Sequence, residues 1–142
     1  MENILSVLES VFKGADARNW SQCESAFAPE VLYDYTSIAG GSPLTLTPKG
    51  ITDLWKSFLP GFDRTRHIVF DFVIIESDAR FSGQASHFIG DRVWSVTGKY
   101  EASLIKNNDG WHITRFKFML QEQSGDLGLA TEAMERVKGE NA

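Results

Sequence analysis

The 142-residue chain contains one cysteine, four prolines and no apolar run long enough to cross a bilayer. A single thiol, Cys23, can form neither an internal disulfide nor a cysteine-based zinc site. A chain without internal disulfides fits a reducing compartment. The longest apolar stretch, residues 68–75, is interrupted by Asp71 and is shorter than the roughly 20 residues of a membrane helix. The first residues lack the basic segment of a signal peptide. We therefore expect a soluble, cytoplasmic protein.

An excess of basic residues is also missing. Lys and Arg number 14 against 19 Asp and Glu, which gives a net charge of -5. Such a chain offers no basic surface for a phosphate backbone or an anionic membrane, so we expect neither partner. Hydrophobic residues make up 42% and charged residues 23%, a composition typical of folded proteins. Without repeats or linkers, residues 1–142 are expected to form one domain.

Helical periodicity marks four segments. The first helix should end near Gly14, the second should run from an N-cap at Asn19 to a stop at Pro29, and the third should start at Thr47-Pro48. A final amphipathic helix is predicted over residues 127–137. The apolar positions that carry the first two helices are Ile4, Leu5, Leu8, Val11 and Phe12, then Trp20, Cys23 and Phe27.

A period of two marks the strands. One strand is predicted at 31–36, and four long strands at 65–76, 79–90, 93–106 and 110–121, separated by short turns of Gly, Asn, Asp and Ser. Helices followed by an antiparallel meander indicate an α+β fold, with N-terminal helices packed in a strongly curved antiparallel sheet.

Alternation sorts the strand residues by face. Odd positions of 79–90 form the inner face, where Gly83 and Ala85 should leave open volume beside His87. The inner sets of the next two strands are Trp94, Val96, Gly98, Tyr100, Ala102 and Leu104, then Thr114, Phe116, Phe118 and Leu120. An apolar interior with the polar residues His67, Asp71, His87 and Tyr100 is typical of a small-molecule pocket.

The strand 65–76 is apolar on both faces. One face should meet the interior, and the other carries Ile68, Phe70, Phe72 and Ile74. Because exposed apolar stripes mark association, we expect a homodimer through this outer face.

Several motifs in order resemble one known family. They are residues 15–20 (ADARNW), 27–29 (FAP), 33–35 (YDY), 59–67 (LPGFDRTRH), 98–100 (GKY) and 109–113 (DGWHI). Their order resembles the nuclear transport factor 2-like (cystatin-like) superfamily, in its SnoaL-like and scytalone dehydratase-like branch. The resemblance implies a cone-shaped sheet around three helices with a deep internal pocket.

The resemblance also implies a cofactor-independent acid-base site. Its aspartate and paired histidine fall on Asp16 and His67, its second histidine on His87 and one tyrosine on Tyr35. A second tyrosine of the family is replaced by Ala15. By chemistry, Asp16 would orient His67 as a base, Tyr35 would hold a developing enolate oxygen, and His87 would protonate a leaving hydroxyl.

The remaining wall of the pocket is expected to come from inward-facing residues of the sheet and the third helix. They are Trp55, Val69, Asp71, Phe81, Trp94, Tyr100, Phe116 and Phe118. The expected activity is that of a lyase or isomerase acting on a hydrophobic oxygenated molecule, such as a polyketide, aromatic or terpenoid intermediate. No cofactor and no metal are expected.

Each assignment has a structural alternative. Asp16 could cap the second helix, and the histidines and tyrosines could be core residues with one hydrogen bond each. His67, His87 and Asp71 could also hold a metal. At the level of function, the alternatives are a non-catalytic ligand-binding domain of the same fold and a subunit of a larger assembly that uses the outer stripe.

Overall fold

The structure is a computed structural model that describes residues 3–140. Its fold is α+β, with helices at the N-terminus followed by a curved, open sheet of six strands in the order β2-β1-β6-β5-β4-β3. The helices are α1 (Ile4–Ala17), α2 (Trp20–Ser25), α3 (Thr36–Ala39), α4 (Pro48–Lys56) and α5 (Leu129–Glu140). The strands are β1 (Phe27–Asp34), β2 (Leu44–Leu46), β3 (Arg64–Ile75), β4 (Asp78–Ile89), β5 (Arg92–Asn107) and β6 (Gly110–Gly125), and a 3-10 turn spans Leu59–Gly61.

Helix α1 continues three residues beyond the predicted end at Gly14. Asn3 caps its start, and Arg18 ends it in a left-handed conformation with φ 57°. Asp16 therefore lies in the last turn of α1 and does not cap α2; Asn19 caps α2 through the backbone N–H of Gln22, as predicted. Within the predicted apolar stripe, Leu5 is exposed.

Helix α2 is shorter than predicted. It ends at Ser25, and Phe27 is the first residue of β1. Pro29 lies inside β1, in the interval between Phe27 and Leu32 where the pairing with β6 is irregular. Because the ladder is interrupted there, the missing N–H of Pro29 costs no regular strand hydrogen bond.

The four long strands form the predicted meander, and β3–β4, β4–β5 and β5–β6 pair antiparallel. The pairing of β1 with β6 is parallel, so the sheet is mixed and the prediction of an antiparallel sheet was wrong at this pair. Since β1 and β6 are distant in the chain, no hairpin fixes their relative direction.

The alternation of β3 breaks at Asp71. This residue adopts a left-handed φ of 57°, and the pairing with β4 slips between Phe70 and Val73. The bulge turns Phe72 inward, where its ring stacks on Phe81 at a centroid distance of 4.7 Å. The predicted outer stripe therefore loses Phe72 and keeps the exposed residues Ile68, Phe70 and Ile74. A homodimer through that stripe stays a prediction.

The inner faces of β4 and β5 are those predicted, and their apolar residues build the core with α1 and α4. In β6 an irregularity in the pairing with β5, between Ser103 and Leu104, changes which residues face inward. Ile113 is fully buried, whereas Thr114 is only half-buried and donates its hydroxyl to the Ser103 carbonyl. Thr114 was thus wrongly placed on the inner face.

Helix α5 closes one end of the sheet. Leu129 and Ala133 are fully buried, and a Cβ on Gly61 would lie 2.0 Å from the Ala133 carbonyl oxygen. Only a glycine permits this approach of the 3-10 turn to α5. No helix within residues 3–140 has both the length and the apolar character that crossing a bilayer requires.

Candidate functional site

A cavity of about 110 Å³ lies between α1, α3, α4 and the inner face of β3–β6. Seven of the residues predicted to form the site line it: Tyr35, Trp55, His67, His87, Trp94, Tyr100 and Phe118. Seven further residues line it, of which Ala85 was expected to border open volume and Ala15 to stand at a family tyrosine position: Phe12, Ala15, Ile38, Phe58, Leu59, Ala85 and Val96. Phe12 and Ala15 lie on the buried stripe of α1, a signal that could have identified them.

Four residues expected to line the cavity do not reach it. Asp71 is exposed at the β3 bulge, so it does not contribute to the pocket wall. Phe116 is fully buried among other aromatic rings. Phe81 is covered by Phe72 on one side and by Tyr100 on the other, and Val69 is half-buried on β3. These three belong to the packing behind the cavity.

Gly83 does not supply open volume either. A Cβ at this position would lie 2.5 Å from Cε2 of Tyr100. The Tyr100 ring therefore fills the space above the glycine, and of the two small residues only Ala85 borders the cavity. A small residue on the inner face of a sheet can mark a place where a neighbouring group packs closely, as the Tyr100 ring does here, and not only a place left empty.

The centre of the site is a contact between Asp16 and His67. Oδ1 of Asp16 lies 2.6 Å from Nδ1 of His67, and Oδ2 accepts the backbone N–H of His67 at 2.7 Å. The Thr65 hydroxyl donates to Oδ1 at 3.0 Å. Burial by itself raises the pKa of Asp16, but the bonds from His67 and Thr65 and the charge of His67 outweigh it, and the net pKa is lowered. Asp16 is therefore a carboxylate at neutral pH.

This contact fixes the tautomer of His67. A carboxylate only accepts hydrogen bonds, so Nδ1 must carry the proton and Nε2 keeps its lone pair in the neutral ring. His67 lines the cavity. The arrangement is that of an oriented imidazole base with an anionic partner that stabilises the imidazolium.

His87 has a different environment. Its Nδ1 lies 3.0 Å from the backbone carbonyl oxygen of Trp94, and its ring stacks on that indole at 4.3 Å. Burial lowers the pKa of His87 to about 4. The ring is therefore neutral at pH 7, Nδ1 donates to Trp94, and Nε2 is an acceptor. His87 was expected to protonate a leaving group, but a neutral ring has no proton on Nε2 to give. We therefore assign His87 as an acceptor for a ligand hydroxyl.

The tyrosines are hydrogen-bond donors. Burial raises the pKa values of Tyr35 and Tyr100 well above the usual range, and their hydroxyl groups interact with each other. Tyr35 also stacks on Tyr33 at 4.7 Å, and the Tyr33 hydroxyl accepts the indole N–H of Trp55. Both cavity hydroxyls remain protonated at neutral pH. Each has one proton, so when one hydroxyl donates to the other, the second is left to donate to a carbonyl or enolate oxygen.

The other reactive residues lie elsewhere. Asp34 accepts hydrogen bonds from the backbone N–H and the hydroxyl of Thr36, which is a local turn role. Cys23 is fully buried beneath α1. Among residues 3–140 no group of three or more His, Cys, Asp or Glu side chains is arranged to hold a metal, and Asp71, the acid of the metal alternative, is on the surface.

Solved structures with the same fold include bacterial proteins of very different sequence. The Kfla4162 protein of Kribbella flavida has a TM-score of 0.74 and 20% identity, covering 95% of this chain and 94% of its own. A protein of Novosphingobium aromaticivorans, provisionally named a scytalone dehydratase, has a TM-score of 0.68 and 16% identity over 87% and 85%. A hexachlorocyclohexane dehydrochlorinase of Novosphingobium barchaimii has a TM-score of 0.69 and 13% identity over 88% of each chain.

These likenesses establish the fold. No curated protein matches the chain. The sequence profile of the SnoaL-like domain matches residues 1–117, which include α1, the whole of β3 to β5 and every residue of the Asp16–His67 contact. The chain therefore belongs to the SnoaL-like family.

Proposed function

We propose that this protein is a cofactor-independent lyase or isomerase in which the Asp16–His67 pair removes a proton from carbon. The observation that supports this most is the 2.6 Å contact between the two side chains at the wall of a largely apolar cavity. Two structural neighbours are named as a dehydratase and a dehydrochlorinase, both eliminating enzymes. The fold they share with this chain suits such chemistry.

In the proposed reaction, Nε2 of His67 takes a proton from the carbon next to a carbonyl. The Tyr35–Tyr100 pair donates one hydrogen bond to the carbonyl oxygen as it becomes an enolate, and the second hydroxyl of the pair donates to the first. Nε2 of His87 accepts a hydrogen bond from a substrate hydroxyl and so orients the molecule. When the enolate re-forms the carbonyl and expels a hydroxyl from the next carbon, the His67 imidazolium returns its proton to that oxygen, and water leaves.

The lining favours an uncharged, hydrophobic molecule with one or two oxygens. Apart from the two imidazoles and the two tyrosine hydroxyls, the wall is built mainly from aromatic and aliphatic side chains. Such a wall offers no counter-ion for a charged group, which would lose its hydration without compensation. Polyketide, aromatic and terpenoid intermediates with a ketone and a hydroxyl fit this description.

A β-hydroxy cyclic ketone tests the proposal. 3-Hydroxy-1-tetralone becomes 1-naphthol on loss of water, a product that is followed by fluorescence. We expect the wild-type protein to accelerate this reaction and His67→Ala to lose about 10²- to 10⁴-fold in rate, the usual range for a general base. His112→Ala, a histidine outside the cavity, is the matched control.

Two outcomes would contradict the proposal. Equal rates for wild type and His67→Ala would exclude His67 as the base. Tight binding of cyclic ketones, with none of a wider panel of hydroxylated ketones changed by mass spectrometry, would instead support the alternative of a non-catalytic ligand-binding domain.

A further inference from the structure

A second and larger cavity adjoins the first. It measures about 530 Å³ and lies between α3, β2, α4 and α5. We call it the outer cleft and the first one the inner cavity. Tyr35, Ile38, Trp55, Phe58 and Trp94 line both. The two volumes are therefore neighbouring compartments with a shared wall, which is aromatic except for Ile38.

The outer cleft has an apolar wall that faces solvent. Four of its residues are exposed hydrophobics: Leu44 at 48%, Leu54 at 40%, Leu127 at 60% and Met134 at 38%. Its polar residues, among the described part of the chain, are uncharged: Thr36, Ser42, Ser57 and Gln123 beside the tyrosines. A ligand that covered these side chains would gain hydrophobic free energy and would need no ionic group.

The wall formed by α5 is anchored at several points. Arg92 makes two hydrogen bonds with the Glu132 carboxylate, at 2.9 and 2.8 Å, and Arg136 contacts Asp63 at 3.1 Å. Leu129 and Ala133 are buried against the sheet and the 3-10 turn. The α5 wall of the outer cleft is thus held in place by the fold, and binding does not have to order that helix.

We infer that the outer cleft is a subsite for the apolar part of an elongated, neutral ligand whose oxygenated end reaches the inner cavity. The inference rests on the proposed function for the role of the inner cavity. Ligand pockets usually measure about 300–1,000 Å³. The inner cavity alone, at about 110 Å³, is below this range, and the two compartments together lie within it.

Binding of 4-alkylphenols, from phenol to 4-octylphenol, tests the inference. The phenol hydroxyl can donate to Nε2 of His87, and the alkyl chain would extend past the shared wall into the outer cleft. Trp55 and Trp94 line both compartments, so intrinsic tryptophan fluorescence reports the binding. We expect Kd to fall about fourfold for each added methylene until the cleft is filled. A Kd that stays constant beyond the ethyl compound would overturn the inference.

Variants separate the two compartments. Ala130 and Leu54 line only the outer cleft, so Ala130→Phe, which fills it, and Leu54→Gln, which makes it polar, should weaken octylphenol binding by tenfold or more and leave phenol unchanged. Thr131→Phe, on the exposed side of α5, is the matched control. If both cleft variants fold and keep the wild-type chain-length dependence, the alkyl chain binds elsewhere and the inference is wrong.

The two proposals can fail independently. Chain-length-dependent binding without turnover of any ketone would retain the subsite and remove the catalytic role. Turnover of small ketones, together with alkylphenol affinities that do not change with chain length, would retain the catalytic role and remove the subsite.

Discussion

Oδ1 of Asp16 and Nδ1 of His67 lie 2.6 Å apart although 51 residues separate them in the chain. The contact joins the last turn of α1 to the fourth residue of β3. It exists because α1 continues past Gly14, which carries the carboxylate up to the first residues of the strand. The same carboxylate binds the His67 backbone and the Thr65 hydroxyl, so the imidazole and its strand are held together.

Removing the charge of Asp16 should reduce activity more than stability. Asp16→Asn keeps the size of the side chain, but it no longer supplies the anion that stabilises the His67 imidazolium. We expect a fall of about 10²- to 10⁴-fold in kcat on 3-hydroxy-1-tetralone. Circular dichroism and urea unfolding would check that the variant stays folded.

Asp71→Asn is the matched control, because Asp71 is an exposed acid in a left-handed conformation that asparagine tolerates. Its activity should equal that of the wild type. An equal loss in both variants would show that the effect of Asp16→Asn is not specific to the pair.

His87 should make the stability of the protein depend on pH. Burial lowers its pKa to about 4, whereas the unfolded chain takes up the proton near 6.5. The stability is complete above pH 6.5 and falls as the pH drops toward 4, by about 2 kcal/mol between pH 7 and pH 5. Asp16, whose pKa is lowered from 3.8, loses its contribution only at more acidic pH.

Urea unfolding at the two pH values would measure this difference. His87→Gln should remove most of the loss between pH 7 and pH 5, and His112→Gln should keep it. The assignment fails if His87→Gln and the wild type show the same decrease.

The neutral forms of both cavity histidines should carry their proton on Nδ1. For His67 the partner is the Asp16 carboxylate, and for His87 it is the Trp94 carbonyl oxygen. Two-bond ¹⁵N–¹H correlation spectra of the imidazoles distinguish the tautomers. Spectra that place the proton on Nε2 of His67 would contradict the proposed base, which requires the lone pair of that nitrogen.

The thiol of Cys23 should be unreactive in the folded protein. It is fully buried, and burial raises its pKa to about 11. We expect labelling by iodoacetamide at pH 8 to be complete in denaturant and about 100-fold or more slower in buffer, because it needs an opening of the fold. Labelling at the rate of a free thiol in buffer would contradict the position of Cys23 beneath α1.

Local patterns were enough to predict most of the architecture. The caps at Asn19 and Thr47 and the hairpin at 107–110 are confirmed because each depends on neighbouring residues alone. The juxtaposition of Asp16 with His67 came from the resemblance to a family, since no periodicity relates residues 51 apart.

The errors within the sheet and the site have a common physical cause in long-range contacts. Strand alternation placed Asp71 and Phe72 on the wrong faces because a bulge at Asp71 shifts the alternation by one residue. An aspartate within a strand does not by itself indicate a bulge. Gly83 was assigned to empty space because the position of the Tyr100 ring depends on the pairing of β4 with β5. The state of His87 likewise depends on burial and on the Trp94 carbonyl, which its residue type does not reveal.

The proposed base is tested most directly by proton exchange in the absence of a leaving group. 1-Tetralone has acidic protons next to its carbonyl and no hydroxyl to lose, so in D₂O the abstraction step alone incorporates deuterium at that carbon, which mass spectrometry detects. We predict faster exchange with the wild-type protein and Asp71→Asn than with His67→Ala or Asp16→Asn. Exchange at the same rate in all four proteins would contradict the assignment of the Asp16–His67 pair as the base.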